Sequence, residues 1–364
     1  MISFFARCLA VFVCVLLFPN GVAFALEPGE GIVLDPVSGN YKITYSDEQD
    51  DGSKILSHAT FVPATKIVPT IVSKFHLDQA GTANYSYSVS SGAQSLQVLD
   101  TVSFDIMGKV IGSQDLPTDM QTSTVAQAFA VLEANEYALT TPNGWRGSIS
   151  TYENGAFINW HSVDSSAGIQ PKGYLKGFGF VSQSLPGLGV AKFRGARRFA
   201  NGFGGEGPQG EIRKQYDALK QNDFVTRLAA VPAIAMPTPF DPAVTLDRIQ
   251  TQMHTWIAMQ LLDATFSAQL DRYFQSAISA YRLNQPKVGN KQIQTMRELI
   301  KKEQPDLGRD EEHESEKSQE KNDHKKSALI DRLAASVLDF DLDYVMKRMG
   351  DDDGEHASTS QHER

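Results

Sequence analysis

Beyond Cys14 the 364-residue chain has no cysteine, because both of its cysteines, Cys8 and Cys14, fall within the first fifteen residues. Any mature form cut after them is denied disulfides, thiolate zinc sites and a cysteine nucleophile, so packing alone must hold it together. Past residue 25 there is no long apolar run, which argues against an integral membrane protein. Positive charge is also scarce: 34 Lys and Arg stand against 43 Asp and Glu, a net charge of −9. Concentrated positive charge is what neutralises phosphates, so nucleic acid is excluded as a partner.

What is present begins with an export signal. Arg7 is the only early charge, Leu9 to Phe18 is apolar, and Ala23-Phe24-Ala25 offers the small residues that precede a cleavage site. Residues 1–25 are therefore expected to be a signal peptide, and the mature protein to be periplasmic or extracellular.

From residue 26 to 203 the texture is that of strands and turns. Tyr41, Ile43 and Tyr45 alternate with polar residues, as do Tyr85, Tyr87 and Val89, and Val102, Phe104 and Ile106. Turn residues such as Asp50-Asp51-Gly52, Ser91-Gly92 and Pro142-Asn143-Gly144 separate the runs. Many short strands without alternating helices predict an antiparallel β-sandwich. Only Thr124 to Glu136 has a helical look in this half.

Glycines and prolines then cluster. Residues 204–240 are expected to be a Gly/Pro-rich linker with one short helix, a candidate from Glu211 to Ala229. Residues 241–349 are read as a helical module. Asp241-Pro242 is a start signal, and Leu246, Ile249, Met253, Trp256 and Ile257 form one apolar stripe. Phe266, Leu270, Phe274, Ile278 and Tyr281 form a second, with Asp263-Ala264-Thr265 as the break between them. A third helix is expected after Asn290, stopping before Pro305, and a fourth between Ser327 as cap and Gly350 as terminator. Gly308 to Ser327 has no apolar residue, so 304–327 is expected to be a charged, disordered insertion, and 350–364 a polar tail. The predicted fold class is thus two-domain β + α: an N-terminal antiparallel immunoglobulin-like sandwich and a C-terminal helical bundle.

The immunoglobulin-like part of that expectation comes from a resemblance. The segment Ile158 to Gly195 carries a Trp strand (Trp160) and an Ile-x-Pro turn (Ile169, Pro171). A Gly-Phe-x-Phe-x-Ser strand (Gly177, Phe178, Phe180, Ser182) and a Leu-Pro-Gly turn (Leu185, Pro186, Gly187) follow. This pattern resembles the last strands of an immunoglobulin-like domain found in uncharacterised secreted bacterial proteins, with Pro171-Lys172-Gly173 in place of their Pro-Gly. Residues 244 to 300 resemble the helical module that often follows in such proteins, here opening its second helix with Phe266-Ser267-Ala268-Gln269-Leu270. The resemblance implies a fold and no activity.

Chemical motifs are few. Gly202-Phe203-Gly204-Gly205-Glu206-Gly207 satisfies G-x-G-x-x-G, but no parallel βαβ unit surrounds it and Pro208 follows, so it reads as linker. Asp47 to Gly52 partly matches a calcium loop, yet His58 stands where a bidentate Glu is required, so a solvated acidic turn is the reading. On a helix, Asp339, Asp341 and Asp343 are expected to spread round the surface. No H-E-x-x-H or G-x-S-x-G occurs, so no catalytic residue, metal ligand or cofactor is assigned.

The aromatic residues of the late strands carry the one binding hypothesis. Trp160, Phe178 and Phe180 are expected in the core. Trp145, in a Pro-Asn-Gly turn, and Tyr174 are the candidate glycan contacts. The expected function is an exported, non-catalytic binding or structural protein of unknown ligand, with a protein or glycan of the cell envelope as the candidate partner. The alternatives are a glycan or cell-envelope binding module and an extracellular hydrolase whose carboxylates the sequence does not reveal.

Overall fold

The computed structural model describes residues 26–49, 51–77, 83–107, 139–152, 155–182, 184–196, 203–221, 223–305, 307 and 328–350. The expected signal peptide at 1–25, the helical candidate at 124–136, nearly all of the expected charged insertion and the tail after Gly350 lie outside them. The described residues form mostly antiparallel β-sheet, with five helices in the C-terminal half. The chain divides into two compact units: Met1–Pro63 with Arg198–Asp223, and Ala64–Arg197 with Phe224–Arg364.

In the first unit, β1 (Gly31–Leu34), β2 (Tyr41–Glu48) and β3 (Lys54–Phe61) form a sheet in that order. The alternation read in Tyr41, Ile43 and Tyr45 faces Ile43 and Tyr45 inward with Ala59 and Phe61 of β3. Helix α1 (Gly210–Gln221) closes this small core with Ile212, while Tyr216 meets Phe61 and Phe203 edge-on. Each fully covered side chain of this size contributes about 1.5–3 kcal/mol. The glycine segment belongs to this unit as a packed turn. The Gly207 N–H donates to the Gly204 carbonyl, and the Tyr45 hydroxyl accepts from the Gly204 N–H at 2.8 Å. Gly205 has φ +56°, and a Cβ there would come within 2.1 Å of the Asp47 Oδ1. The glycines are thus explained by close approach to β2, which corrects the linker reading.

The second unit holds two sheets. Strands β4 (Pro69–Leu77), β5 (Ala83–Ser91), β10 (Tyr174–Ser182) and β7 (Leu139–Thr140) form one, in the order β4-β5-β10-β7. The other, in the order β12-β11-β6-β9-β8, contains β6 (Leu99–Met107), β8 (Trp145–Tyr152), β9 (Gly155–Ser162), β11 (Leu185–Gly195) and β12 (Val225–Ile234). Tyr87, Phe104, Trp160, Phe178, Phe180 and Phe193 from both sheets share one core. Trp160, Phe178 and Phe180 are therefore buried as expected. Strand β12 differs from the sequence expectation, which places Val225 to Ala229 in a helix and Pro232 in a linker. The proline is accommodated because β12 is an edge strand, and register shifts beside Pro186 opposite it.

Four helices complete this unit. Helix α2 (Pro242–Ala258) is capped by Asp241, whose carboxylate accepts from the Val244 N–H, with Pro242 in the first turn. Asp263 caps α3 (Ala264–Arg282), so the Asp263 break separates two helices. Helix α4 (Pro286–Glu303) begins at Pro286, before the expected Asn290, and ends ahead of Pro305. Helix α5 (Arg332–Arg348) is capped by Asp331, not Ser327. The apolar stripes meet in a second core that also includes Leu185 and Leu188 of β11 and Ala230 and Ile234 of β12. The helices thus share a core with β11 and β12 and sit in the same compact unit as the two larger sheets.

Candidate functional site

Strand β5 shows how the candidate surface arises. Its sequence alternates strictly, so Ala83, Tyr85, Tyr87 and Val89 are buried while Asn84, Ser86, Ser88 and Ser90 point the other way. Pairing with β4 and β10 extends this polarity into rows. Thr70, Ser90 and Tyr174 lie side by side, as do Val72, Ser88 and Lys176, then Lys74, Ser86 and Gly179, then His76, Asn84 and Val181. Thr70 and Ser90 hydrogen-bond through their hydroxyls. The face is solvent-open: Tyr174 is 55% exposed and Val181 43%.

Its phase along β10 depends on one residue. Gly177, with φ +101°, is an extra residue between Lys176 and Phe178 in the pairing with β5. Without that bulge, Leu175 and Phe178 could not both face the core while Tyr174 and Lys176 face out. Chemically, the rows offer hydroxyls that donate and accept, an amide, one exposed phenol ring and two ammonium groups. The four strands contain no Asp or Glu. The inner side of the same sheet is closed. Tyr85 donates to the Ser184 carbonyl at 2.8 Å and Tyr87 to the Ala230 carbonyl at 2.7 Å, and burial pushes both phenols well above their ordinary pKa.

Of the two candidate glycan contacts, this face holds Tyr174 alone. Trp145 opens β8 and is 6% exposed. Its ring lies edge-on to Phe178 at 5.0 Å, and its indole N–H donates to the Ala167 carbonyl at 2.9 Å. With its apolar body covered and its polar end satisfied, it offers no stacking face, which corrects the surface reading. The signal lay in the period-two run Trp145, Gly147, Ile149, overshadowed by the turn before it. Gly147 faces the same interior, since a Cβ there would meet Trp160 and Leu139.

The remaining motifs do not converge on a site. Asp47 is buried against the glycine turn, whereas Asp51 accepts from the Ser53 N–H and hydroxyl, bonds that hold its carboxyl below the usual range. His58 pairs with Thr44. Asp339 and Asp343 grip Arg297 while Asp341 turns into the core, so the three neither spread round the surface nor cluster. His254 contacts Asp271 at 2.7 Å, and Gln250 donates to the same carboxylate oxygen at 2.6 Å. Among the described residues, no group of three or more His, Cys, Asp or Glu could hold a metal ion, and no helix is long and apolar enough to cross a membrane.

No family model matches the chain, and no curated protein matches it. Among solved structures it has a weak likeness to an uncharacterized protein from Nocardia farcinica, described as revealing an immunoglobulin-like fold. The two are 8% identical with a TM-score of 0.24, over 45% of this chain and 97% of that one.

Proposed function

We propose that the protein is an exported, non-catalytic binding protein of the cell envelope or its surroundings, and that it engages a glycan. In this reading the two larger sheets are an immunoglobulin-like sandwich, the C-terminal helices are a bundle seated on β11 and β12, and the outer face of the β4-β5-β10-β7 sheet is the contact surface. The observation that supports it is the row structure of that face, with Ser, Thr and Asn side chains beside the exposed ring of Tyr174. Hydroxyls in rows match the donors and acceptors of sugars, and a phenol ring can stack on a pyranose face.

Polysaccharide pull-down and glycan-array binding test this. The wild-type protein should bind at least one glycan saturably, and Tyr174→Ala should weaken it about two- to ten-fold, the worth of one ring contact. Absence of saturable binding to every glycan would reject the reading. Trp145→Ala is no substitute for this test, since its loss of a core ring is expected to cost about 3–5 kcal/mol of stability.

A further inference from the structure

The small sheet of the first unit ends on an open strand. Strand β3 is the edge of the order β1-β2-β3 and pairs with β2 from Lys54 to Phe61 without a register shift. Among the described residues, no backbone group of Ile55 to Thr60 bonds to anything but β2. Alternate residues of that stretch turn an N–H and a C=O away from β2, where a further strand can bind. Natural edges are guarded by proline, by a bulge or by charges along the strand. Strand β3 has neither proline nor bulge, and its lysine, Lys54, stands at its first residue, 2.6 Å from Glu27. Ile55, 51% exposed, and Leu56, 49% exposed, flank the strand on its two sides.

We propose that this edge takes the same edge of a second copy of the chain, β3 against β3, antiparallel about a two-fold axis at His58. Charge indicates the occupant. The Ser46 N–H and hydroxyl donate to Glu30 and Glu27, so the outer row that holds Ser46 and Leu56 is acidic. Lys42, exposed on the same outer side of β2, lies in the row of Thr60. Pairing about His58 sets Leu56 beside the second copy's Thr60, so the acidic row of each copy runs on into the Lys42 row of the other. Three strand spacings, roughly 14 Å, separate the Ser46 and Lys42 backbones across the join, and the long side chains shorten that gap. Parallel pairing in register would stack Lys54 on Lys54 instead, and like charges directly opposite are destabilising. On the inner side Ile55 meets the second copy's Phe61, a branched aliphatic against an aromatic. The join is isologous and uses up the edge of both copies, so association stops at two.

Sedimentation velocity of the full chain, at about pH 8 so that histidine charge plays no part, tests this over a wide range of concentration. One strand from each copy is a small join, so a monomer–dimer equilibrium with a Kd on the order of 10–100 µM is expected. Ile55→Lys and Leu56→Lys put a charge on the edge and should each weaken the dimer at least ten-fold. Lys42→Glu, one strand back from the edge, should weaken it about three-fold by meeting Glu27 and Glu30 of the other copy. Val37→Lys, at a 94% exposed residue in the turn between β1 and β2, should change nothing. If an edge variant fails to fold by circular dichroism, hydrogen exchange of the wild-type protein decides: the outward amides among residues 55–60 should exchange more slowly as concentration rises. A chain that stays monomeric at every concentration would overturn the proposal and leave the edge to a foreign strand. A dimer that ignores both edge lysines, or one that Lys42→Glu leaves as tight as before, would overturn the interface and its register. Assemblies larger than two would overturn the closed pairing.

Discussion

At Asp341 the cost of burying one carboxyl group becomes a pH-dependent stability term. The side chain is 1% exposed within α5, its Oδ1 has no hydrogen-bond partner, and burial pushes its pKa well above the ordinary value. In the unfolded chain the group ionises near pH 4. Below that pH both states hold the proton and Asp341 costs nothing extra. As pH rises, the unfolded state releases its proton while the native state keeps it, so native stability falls with pH until the buried group itself ionises. Asp341→Asn has the same shape and no such proton. Its unfolding free energy, followed by urea denaturation, should match wild type near pH 4 and exceed it increasingly toward pH 8, by about 1–3 kcal/mol. A constant difference across that range would show that the carboxyl is not buried as described. Nothing in the order Asp339, Asp341, Asp343 marks the middle residue as different. Helical geometry turns residue 341 by about 200° from 339 and brings 343 back beside it, so its fate depends on which side of α5 meets the sheet.

Elements were legible where their own periodicity decides them. The stripes of α2 and α3, the Asp caps and the alternation of β2 and β5 all follow from local spacing. Strand β12 did not, because Val225 to Ile234 lacks alternation and carries Pro232, and its strand character comes from pairing with β11. Between α4 and α5 the long-range partner is ionic. Arg297, 13% exposed, places its guanidinium against Asp339 at 2.7 Å and Asp343 at 2.6 Å. These carboxylates lie one turn apart on α5, so removing the guanidinium leaves two like charges one turn apart, offset only by the more exposed Lys347 at 2.7 Å from Asp343 and Lys301 at 3.9 Å from Asp339. Arg297→Met should cost about 1–3 kcal/mol in urea unfolding. Adding Asp339→Asn and Asp343→Asn to it should recover part of that loss. A triple variant as unstable as the sum of its parts would mean that the clamp contributes no coupling.

For the whole molecule, β12 is the piece that ties sheet to helix. Ala229 and Val231 belong to the core between the sheets, and Ala230 and Ile234 to the helical core. Its backbone and side chains also reach β4. The Ala230 N–H donates to the Ser73 hydroxyl at 3.1 Å, and the Arg227 Nε to the Pro69 carbonyl at 2.8 Å. A fragment of residues 26–203, the domain that composition alone would delimit, lacks β12 and α1. It should lose its cooperative thermal transition and near-ultraviolet circular dichroism, because β11 becomes a bare edge and both cores lose a wall. A sharp transition in that fragment would show that β12 is dispensable.

The first unit is assembled from two distant stretches of chain, and this sets an order in time. Ile43, Tyr45 and Phe61 are made early, but the Ile212 and Tyr216 that cover them follow eight further strands among the described residues. At about 5–20 residues per second, on the order of ten seconds of synthesis separates the sheet from its lid. Until then Ile43, Tyr45 and Phe61 lack the Ile212 and Tyr216 cover that completes their core in the folded unit.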